Sequence, residues 1–400
     1  MIKRKITEIL CEAVRQVPVI TILGPRQSGK TTLVKELFPD YTYVNLEDPK
    51  TRQLASDDYE GFFAKYKEPM IIDEVQRVPE LLSAIQVRVD AQREVTGRFI
   101  LTGSHQPSLR AGISQSLAGR TEILTLLPLS MIELMVNGTP PGTADELLLR
   151  GFMPELYRQG SRKPRTYYRD YMRTYIERDL RQLIAVKDLT SFEKFLYLLA
   201  GRVGQIVNLS AMAGAVGVSS TTLNQWLSVL EASFIIFRLQ PYFSNISKRH
   251  TKSPKVYFTE PGLVSYLLGL ETTEQISRDP LRGQLFENLV IVEAMKSRLN
   301  ENEDPSLYFV RTDKGVEIDL VLKTAGRLRP FEIKSALTPT KEFSRHLNSF
   351  RDAEPTCISP TVIYSGEAYP SYNGVEYINF HTVADAISNT SNTQRSDTYE

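Results

Sequence analysis

The sequence predicts an α/β protein in which an N-terminal parallel sheet is followed by a helical connector, a helix–turn–helix and a second group of strands. Over residues 17–128, short apolar runs alternate with helical segments, the pattern of an open, largely parallel sheet. Residues 146–202 contain amphipathic stretches rich in Tyr, Arg and Leu, which predict helices. Strand-like alternation returns from residue 306. We therefore expect an α/β fold built in several parts.

The strands of this fold are predicted from short, bounded apolar runs. In the N-terminal sheet they are VPVITIL (17–23), YTYVNLE (41–47), MIIDE (70–74), RFILTGS (98–104) and TEILTLL (121–127). In the C-terminal part, a helix containing FENLVIVEAMKSRL precedes the strands SLYFVRT, VEIDLVLK, RPFEIKSA and TVIYSG. The last residues, roughly SNTSNTQRSDTYE, are polar and lack core formers, so we expect a disordered tail.

Composition excludes several classes of protein. Of the 400 residues 42% are hydrophobic, enough for about two to three globular domains. Basic and acidic residues balance at 48 against 47, so any contact with nucleic acid must be local. Cys11, Cys357 and four scattered His residues suggest neither a disulfide framework nor a metal site. Without a signal peptide or a long apolar run, we expect a cytoplasmic protein with no membrane partner.

The segment GPRQSGKT (24–31) predicts a phosphate-binding loop. Gly24 and Gly29 stand where the chain must turn tightly between a strand and a helix, so that backbone N–H groups and the helix dipole can hold the β- and γ-phosphates. Lys30 would place its charge on those phosphates, and Thr31 would offer a hydroxyl to Mg²⁺. The predicted ATP-binding residues are Gly24, Pro25, Arg26, Gln27, Ser28, Gly29, Lys30, Thr31 and Thr32.

An acidic pair completes the predicted nucleotide site. Asp73 ends the apolar run MII and would hold the same Mg²⁺ as Thr31 through water. Glu74 would then be the base that orients the attacking water. A further strand, YTYVNLE, lies between the two motifs, which is typical of the P-loop proteins that drive molecular machines. The sequence therefore predicts hydrolysis of ATP as well as binding.

Two further features could belong to the same site. Thr102 and Ser104, at the end of RFILTGS, could sense the γ-phosphate, or they could only cap the end of a strand. Arg120, in SLAGR, could act as an arginine finger on the γ-phosphate of a neighbouring subunit, or it could be only solvated or ion-paired.

A winged helix is predicted between residues 205–270. Gly217 gives a tight turn between two helices, and Ser219 or Ser220 would cap the second. Of the second helix, Leu223, Trp226, Leu227 and Leu230 would be core, while Thr221, Thr222, Asn224 and Gln225 would face bases or phosphates. Downstream, a basic cluster interleaved with aromatic residues forms a wing-like segment of Lys248, Arg249, His250, Lys252 and Lys255 with Tyr242, Phe243, Tyr257 and Phe258. The alternatives are a solvated face or a protein-docking module.

The C-terminal strands carry a group of charged residues. Asp319 lies in VEIDLVL, and Glu332 with Lys334 lies in FEIK, where residues two apart face the same side of a strand. Two carboxylates and an ammonium would suit Mg²⁺-dependent cleavage of a phosphodiester, with Glu287 of the preceding helix as a further metal ligand. The alternative is a solvated strand face.

The motifs GPRQSGKTTL, MIIDEVQRVP, FILTGS and SLAGR together resemble a large prokaryotic family of AAA-type ATPases, similar to archaeal-type ATPases, with an uncharacterised C-terminal module. The resemblance continues in GFMPELY, YIERDL, NLSAMAGAVGVSSTTLNQWLSVLEASFII, KSPKVYFTEPGL and GQLFENLV, up to about Ser365. It implies an AAA-type ATPase, a winged helix and a C-terminal fold similar to PD-(D/E)xK nucleases. By resemblance, the nucleotide positions are Gly24, Lys30, Thr31, Asp73, Glu74 and Arg120, with Thr102 or Ser104 at the sensor. The family more usually has Asp in place of Glu260.

These observations predict a domain order and a function. The expected parts are an ATPase domain (1–135), a helical lid or connector (136–204), the winged helix (205–270), a nuclease-like domain (275–385) and the tail (386–400). The leading hypothesis is an oligomeric ATPase that remodels or moves along DNA, with branched DNA as a candidate substrate, and whose C-terminal domain cuts or recognises it. One alternative is an ATP-dependent switch that docks a protein partner through an inactive nuclease fold. Another is a defence nuclease gated by ATP.

Overall fold

A computed structural model describes residues 2–104, 107–140, 142–174, 189–242, 253–312 and 315–388. Its helices in the first part of the chain are α1 (Thr7–Gln16), α2 (Lys30–Leu37), α3 (Pro49–Asp57), α4 (Tyr59–Lys65), α5 (Leu81–Asp90), α6 (Pro107–Ser116), α7 (Met131–Val136), α8 (Ala144–Arg150) and α9 (Pro164–Tyr171). The later helices are α10 (Leu189–Ala200), α11 (Leu209–Val216), α12 (Ser220–Ala232), α13 (Pro261–Leu267), α14 (Thr273–Arg278), α15 (Arg282–Asn300) and α16 (Arg345–Ala353).

The first sheet contains the five strands predicted for it, within the described residues. They are β1 (Val19–Gly24), β2 (Thr42–Asn45), β3 (Met70–Asp73), β4 (Phe99–Ser104) and β5 (Thr121–Thr125). Their order is β2-β3-β4-β1-β5, and every neighbouring pair is parallel. The carboxyl ends of all strands therefore lie at one edge of the sheet, where β1 runs into the phosphate-binding loop.

Alternate residues of these strands pack into two separate cores. Ile20 and Ile22 of β1 pack with apolar residues of α1 and α2 on one face. Val19 and Leu23 pack with residues of α3, α4, α5 and α6 on the other face. Because successive side chains of a strand point to opposite faces, a sheet that is covered by helices on both sides is apolar throughout. The N-terminal part is a three-layer α/β/α unit.

The second sheet joins the remaining strands, in the order β13-β14-β12-β11-β10-β9-β7-β8-β6. They are β6 (Gln205–Ile206), β7 (Ile236–Pro241), β8 (Lys255–Phe258), β9 (Leu307–Arg311), β10 (Glu317–Thr324), β11 (Arg327–Lys334), β12 (Thr361–Tyr364), β13 (Tyr369–Tyr372) and β14 (Val375–Asn379). A parallel contact between β7 and β9 pairs Gln240 with Tyr308. The sheet thus runs across the predicted boundary at residues 270–275, although the domain limits themselves stay predictions.

The helix pair α11 and α12 has the local features expected from the sequence. Gly217 ends α11 in the left-handed region, at φ 88°, where glycine is favoured because it has no Cβ. Ser219 caps α12 by accepting a hydrogen bond from the Thr222 N–H. The side chains predicted to be core are all buried, namely Leu223, Trp226, Leu227 and Leu230. The polar residues Thr221, Asn224 and Gln225 are exposed.

Part of the predicted wing does not lie on a surface. Lys255, Tyr257 and Phe258 form β8 and are buried, because β8 lies between β7 and β6 in the second sheet. Assigning Lys255 to an exposed basic cluster was therefore wrong. The rest of that cluster (Lys248, Arg249, His250 and Lys252), together with Phe243, lies outside the described residues, as do residues 175–188 of the connector and 389–400 of the tail. In the described part, no helix has the length and apolar character needed to cross a bilayer.

Candidate functional site

The phosphate-binding loop lies between the end of β1 and the start of α2. A Cβ added to Gly24 would lie 2.1 Å from the carbonyl oxygen of Leu126, so no larger residue fits beside that backbone. Gly29 has φ 97°, a left-handed conformation that side chains rarely adopt. The loop therefore needs glycine at the two positions that the sequence singled out.

Lys30 is buried at the start of α2 and points back into the loop. Its Nζ donates to the carbonyl oxygens of Gly24, at 2.9 Å, and Pro25, at 2.8 Å. Burial lowers the pKa of Lys30 to about 8, although the charges of Glu74 and Asp73 oppose this shift. The loop thus holds the Lys30 ammonium at the place where the phosphates of a nucleotide are expected to bind.

Asp73 ends β3 and collects hydroxyl groups from three other elements. Thr31 Oγ1 donates to its two carboxylate oxygens at 3.1 and 3.0 Å, and Tyr43 donates from β2 at 2.7 Å. The hydroxyl of Thr102 on β4 also donates to it. The structure therefore brings Thr31, Asp73 and one of the two sensor candidates together. Tyr43 was not predicted, since its reach to Asp73 depends on β2 lying beside β3.

Glu74 follows in a left-handed conformation, at φ 60°. Its carboxylate accepts a hydrogen bond from the amide of Gln76, and that amide also donates to Ser104 Oγ at 2.9 Å. Ser104 Oγ itself lies 3.5 Å from Glu74 Oε2. The second sensor candidate is thus joined to the predicted base, whereas Thr102 is joined to the predicted Mg²⁺ ligand.

The loop residues fit a bound nucleotide with its metal ion. Ser28 Oγ is buried in the loop, and among the described residues no group hydrogen-bonds to it, so a phosphate oxygen could do so. The Thr31 hydroxyl beside the Asp73 carboxylate provides two oxygen ligands of the kind that Mg²⁺ prefers. Of the other predicted contacts, Pro25 is buried, Arg26 is half-buried with its guanidinium 3.4 Å from Glu47, and Thr32 is exposed on α2.

Two residues outside the motif brace the loop from other parts of the chain. Arg4 is buried and donates to the carbonyl oxygens of Ser28, at 2.8 Å, and Leu127, at 2.6 Å, while pairing with Glu133 at 3.0 Å. Tyr167 of α9 donates to Gln27 Oε1 at 2.5 Å. Neither contact has a signal in the sequence beyond a basic residue and a tyrosine in apolar surroundings.

Arg120 lies at the opposite edge of the first sheet. It directly precedes Thr121, which pairs with Val19 at the start of β1, whereas the loop follows the end of that strand. Its guanidinium binds both carboxylate oxygens of Asp90 at 2.8 Å and lowers the pKa of Asp90 to about 2. Within one chain, Arg120 does not join the nucleotide site.

The charged residues of the C-terminal strands do meet. Lys334 Nζ lies 2.6 Å from Glu332 Oε1 and 3.9 Å from Asp319 Oδ2. The backbone N–H of Ile333 donates to Asp319 at 2.8 Å, which fixes that carboxylate against β11. The charge of Asp319 also acts on Glu287 of α15. These four residues form the carboxylate cluster.

Two residues of β8 extend the carboxylate cluster. Lys255, only 3% exposed, lies 3.1 Å from Glu287 and 2.9 Å from Glu317. The hydroxyl of Tyr257 also donates to Glu287. Lys255 therefore compensates buried carboxylates, which explains why a lysine sits in a central strand.

Burial and mutual repulsion raise the pKa values of two carboxyl groups in the carboxylate cluster. Burial, and then the nearby charge of Asp319, raise the pKa of Glu287 to about 7 and that of Glu332 to about 8. Glu332 Oε2 is buried without a hydrogen-bond partner in the described structure. No group of three or more His, Cys, Asp or Glu side chains in the described ranges has an arrangement that could hold a metal ion. As it stands, the cluster is neutralised by ammonium groups and does not fit the predicted second Mg²⁺ site.

Glu260 lies away from both sites, at the start of α13. Its Oε1 accepts from the backbone N–H of Phe152 at 2.9 Å, from that of Gly262 at 3.2 Å and from the Tyr168 hydroxyl at 2.9 Å. A buried acid is needed here to join these elements, which gives the position a structural role.

Comparison with known proteins divides the chain into three segments. Residues 16–135 match an AAA domain, residues 142–274 match a domain of unknown function (DUF8612), and residues 282–383 match another domain of unknown function (DUF4143). The first segment contains the nucleotide-site residues from Gly24 to Ser104, whereas Arg4 and Tyr167, which brace the loop, lie outside it.

Two mycobacterial proteins are similar over most of their length. Uncharacterized protein Rv2008c of Mycobacterium tuberculosis and Uncharacterized protein Mb2031c of Mycobacterium bovis are each 34% identical over 352 residues, covering 85% of this chain and 75% of theirs.

Solved structures give weaker similarities. The Walker-type ATPase PABY2304 of Pyrococcus abyssi is 16% identical with a TM-score of 0.46, covering 67% of this chain and 96% of that one. The STAND protein PH0952 from Pyrococcus horikoshii, which has a tetratricopeptide repeat sensor, is 15% identical with a TM-score of 0.22, covering 76% of this chain and 50% of that one. Similarities this low carry no conclusion about this chain.

The AAA domain and the geometry of its loop together identify the activity of the N-terminal part. Gly24, Lys30, Thr31, Asp73 and Glu74 stand together at one edge of the sheet, where parallel strands end. The chain is an AAA-domain ATPase with a DUF4143 C-terminal domain, and it belongs to the same family as Rv2008c and Mb2031c.

Proposed function

We propose that this ATPase uses ATP with Mg²⁺, works as an oligomer, and acts on DNA that its C-terminal part recognises or cuts. The observation that carries the DNA part of the proposal is the exposed polar face of α12. The carboxylate cluster of Asp319, Glu332, Lys334 and Glu287 does not fit a Mg²⁺ site as it stands, so cutting requires its own test.

In the ATPase reaction, the loop and Lys30 hold the phosphates. Lys30 exchanges its bonds to the carbonyl oxygens of Gly24 and Pro25 for bonds to phosphate oxygens. Thr31 and Asp73 would hold the metal ion, which when bound would neutralise charge on the phosphates. Glu74 orients the attacking water and accepts its proton. Thr102 fixes the Asp73 carboxylate, whereas Gln76 holds that of Glu74.

An oligomer is proposed because Arg120 cannot serve the loop of its own chain. To reach the γ-phosphate of a neighbouring copy, its guanidinium must leave Asp90, which binds it through two hydrogen bonds. The pairing with Asp90 is then the resting state of the finger, and assembly would compete with it.

The exposed polar face of α12 supports a contact with DNA. Thr221, Asn224 and Gln225 are exposed on one side of the helix, while Trp226 and Leu227 on the other side are buried. Short polar side chains projecting from the first turns of a capped helix can reach base edges or phosphates.

Cutting is tested by comparing the wild type with Asp319→Ala on linear, flapped and branched DNA. Asp352→Ala, an exposed acid on α16, is the matched control. The proposal of cleavage expects the wild type and Asp352→Ala to cut and Asp319→Ala to lose at least about 100-fold of the rate. Equal, background-level cutting by all three would eliminate cleavage and leave recognition, which a binding assay with the same DNAs measures.

A second candidate function is a switch in which ATP controls docking of a protein partner and the C-terminal part has no nuclease activity. The ammonium groups of Lys255 and Lys334 favour this candidate, because they already pair with carboxylates that would have to hold a metal ion. Slow ATP turnover that no DNA changes would favour the switch, and turnover stimulated by DNA would favour action on DNA.

A further inference from the structure

The predicted base Glu74 is held by Gln76, a neighbour that was not among the predicted site residues. A short 3₁₀ turn, Val75–Arg77, follows Glu74 and turns the side chain of Gln76 back toward it. In the described structure, the hydrogen bonds to the Glu74 carboxylate come from Gln76 and, at 3.5 Å, from Ser104. The position of the base is thus set by an amide and a hydroxyl.

Both N–H groups of the Gln76 amide donate hydrogen bonds. Its Nε2 donates both to Glu74 Oε2 and to Ser104 Oγ, which accounts for the two N–H bonds of a side-chain amide. Gln76 is only 8% exposed, and its Oε1 has no hydrogen-bond partner among the described groups. A buried amide oxygen without a partner costs free energy. The orientation of the Gln76 amide is therefore set by its two donor contacts.

Gly103 provides the space in which this amide lies. A Cβ at Gly103 would be 2.7 Å from Gln76 Oε1 and 2.8 Å from Leu109 Cδ2. Gly103 stands between Thr102, which donates to Asp73, and Ser104, which accepts from Gln76. Three successive residues of β4 therefore serve the two acids: one holds Asp73, one makes room for Gln76, and one anchors it.

We propose that Gln76 is a positioning residue for ATP hydrolysis, which holds the Glu74 carboxylate and links it to Ser104 at the end of β4. A catalytic base must be held within a fraction of an ångström of its productive place by neighbours that are themselves fixed. Gln76 meets this requirement because its own position is fixed by Ser104 and by the space over Gly103. The proposal rests on the assignment of Glu74 as the base.

The first test replaces Gln76 by Ala and measures turnover and nucleotide affinity separately. Loss of the positioning amide is expected to lower kcat by about 10- to 100-fold, because small displacements of a catalytic group cost rate. The Kd for a fluorescent ATP analogue should change by less than about threefold, since Gln76 touches neither the loop nor Thr31. Gln92→Ala, an exposed glutamine beyond α5, is the matched control and should retain wild-type values.

A second variant guards against a simple loss of folding. Gly103→Ala keeps the Gln76 side chain but places a Cβ where its amide lies. This variant should lower kcat to a similar extent, while the Kd stays near that of the wild type. An unchanged or increased kcat in Gln76→Ala, in a protein that still binds the analogue, would overturn the proposal.

The decisive test is a double-mutant cycle with Glu74→Gln. If Gln76 acts through Glu74, Gln76→Ala lowers kcat in the wild type but not in the Glu74→Gln background. An equal loss in both backgrounds would overturn the proposal. Wild-type turnover by the single variant Glu74→Gln would overturn the assignment of Glu74 as base. If Glu74→Gln loses turnover strongly but Gln76→Ala does not, the assignment of Glu74 stands and the positioning role of Gln76 is rejected.

Discussion

Several buried charges of this protein are each held by a specific polar or charged group, near or far in sequence. Lys30 depends on carbonyl oxygens of its own loop, whereas Glu287 and Glu332 depend on Lys255 and Lys334. A charge removed from water must be paired or must change its protonation state. Burial, and then the nearby charge of Asp319, raises the pKa values of Glu287 and Glu332.

The pKa of Glu332 makes stability depend on pH in a definite direction. The folded state keeps the proton up to about pH 8, while an unfolded glutamate releases it near its ordinary value of 4.5. Between those values the folded state binds more protons, so the free energy of unfolding falls as pH rises, by at most about 1.4 kcal/mol per pH unit for one proton. Glu332→Gln carries no such proton and should lose this dependence.

The measurement is the free energy of unfolding, by denaturant, at about pH 5 and about pH 8. Relative to the wild type, Glu332→Gln should be more stable at the higher pH than at the lower one, whereas Glu342→Gln, at an exposed glutamate, should track the wild type at both. Parallel behaviour of Glu332→Gln and the wild type would contradict the raised pKa.

At the scale of elements, α9 connects the ATPase site to the rest of the chain through two adjacent tyrosines. Tyr167 donates to Gln27 of the phosphate-binding loop, and Tyr168 donates to Glu260 at the start of α13. The two side chains leave the same helix in different directions. The phosphate-binding loop and the start of α13 are therefore both attached to α9.

The adjacent tyrosines allow a matched pair of variants. Tyr167→Phe removes a hydrogen bond to the loop and should weaken nucleotide binding by about fivefold, the equivalent of about 1 kcal/mol, with a small change in melting temperature. Tyr168→Phe deprives a buried carboxylate of a donor and should instead lower the melting temperature, with nucleotide affinity unchanged. Fluorescence titration and thermal unfolding of both variants give the comparison; identical behaviour of the two would contradict separate roles.

The elements themselves were largely predictable, because each has a local signal. The strands of the first sheet follow from apolar runs, Gly217 and Ser219 follow from cap chemistry, and the loop follows from its glycines. The hairpin of β13 and β14 was not predicted, since β13 is exposed throughout and lacks an apolar run.

Contacts between elements could not be predicted in the same way. Lys255 was placed with a basic cluster because sequence shows the neighbours of a residue along the chain and not those across a sheet. Gln76 stands within the quoted motif MIIDEVQRVP, yet its role depends on β4 lying beside β3. Arg4 and Tyr167 reach the loop from far along the chain, so the pattern of residues in the loop does not predict these contacts.

At the scale of the whole molecule, the proposed oligomer predicts that subunits complement one another. Arg120→Ala would lack the finger but keep its own loop, whereas Lys30→Ala would lack the loop cation but keep the finger. A mixture of the two inactive variants should regain part of the wild-type turnover, because some interfaces combine an intact loop with an intact Arg120. Turnover no higher than the sum of the separate variants would contradict a shared site.

The second sheet gives the molecule a continuous path from α12 to the carboxylate cluster. Strands β7 and β8, which follow α12, lie in the same sheet as β10 and β11, and Lys255 of β8 contacts Glu287 and Glu317. A ligand bound at α12 would therefore be bound on the same structural unit as Asp319. This continuity is what links the proposed DNA contact to the proposed site of recognition or cutting.

The most direct test of the central claim is the rate of ATP turnover with single-stranded, duplex, forked and four-way DNA, each compared with the rate without DNA. Lys30→Ala, which lacks the charge on the phosphates, sets the background. An ATPase that acts on DNA should turn over faster with at least one of these DNAs and lose that turnover in Lys30→Ala. A turnover that depends on Lys30 but is the same with every DNA and with none would contradict the account.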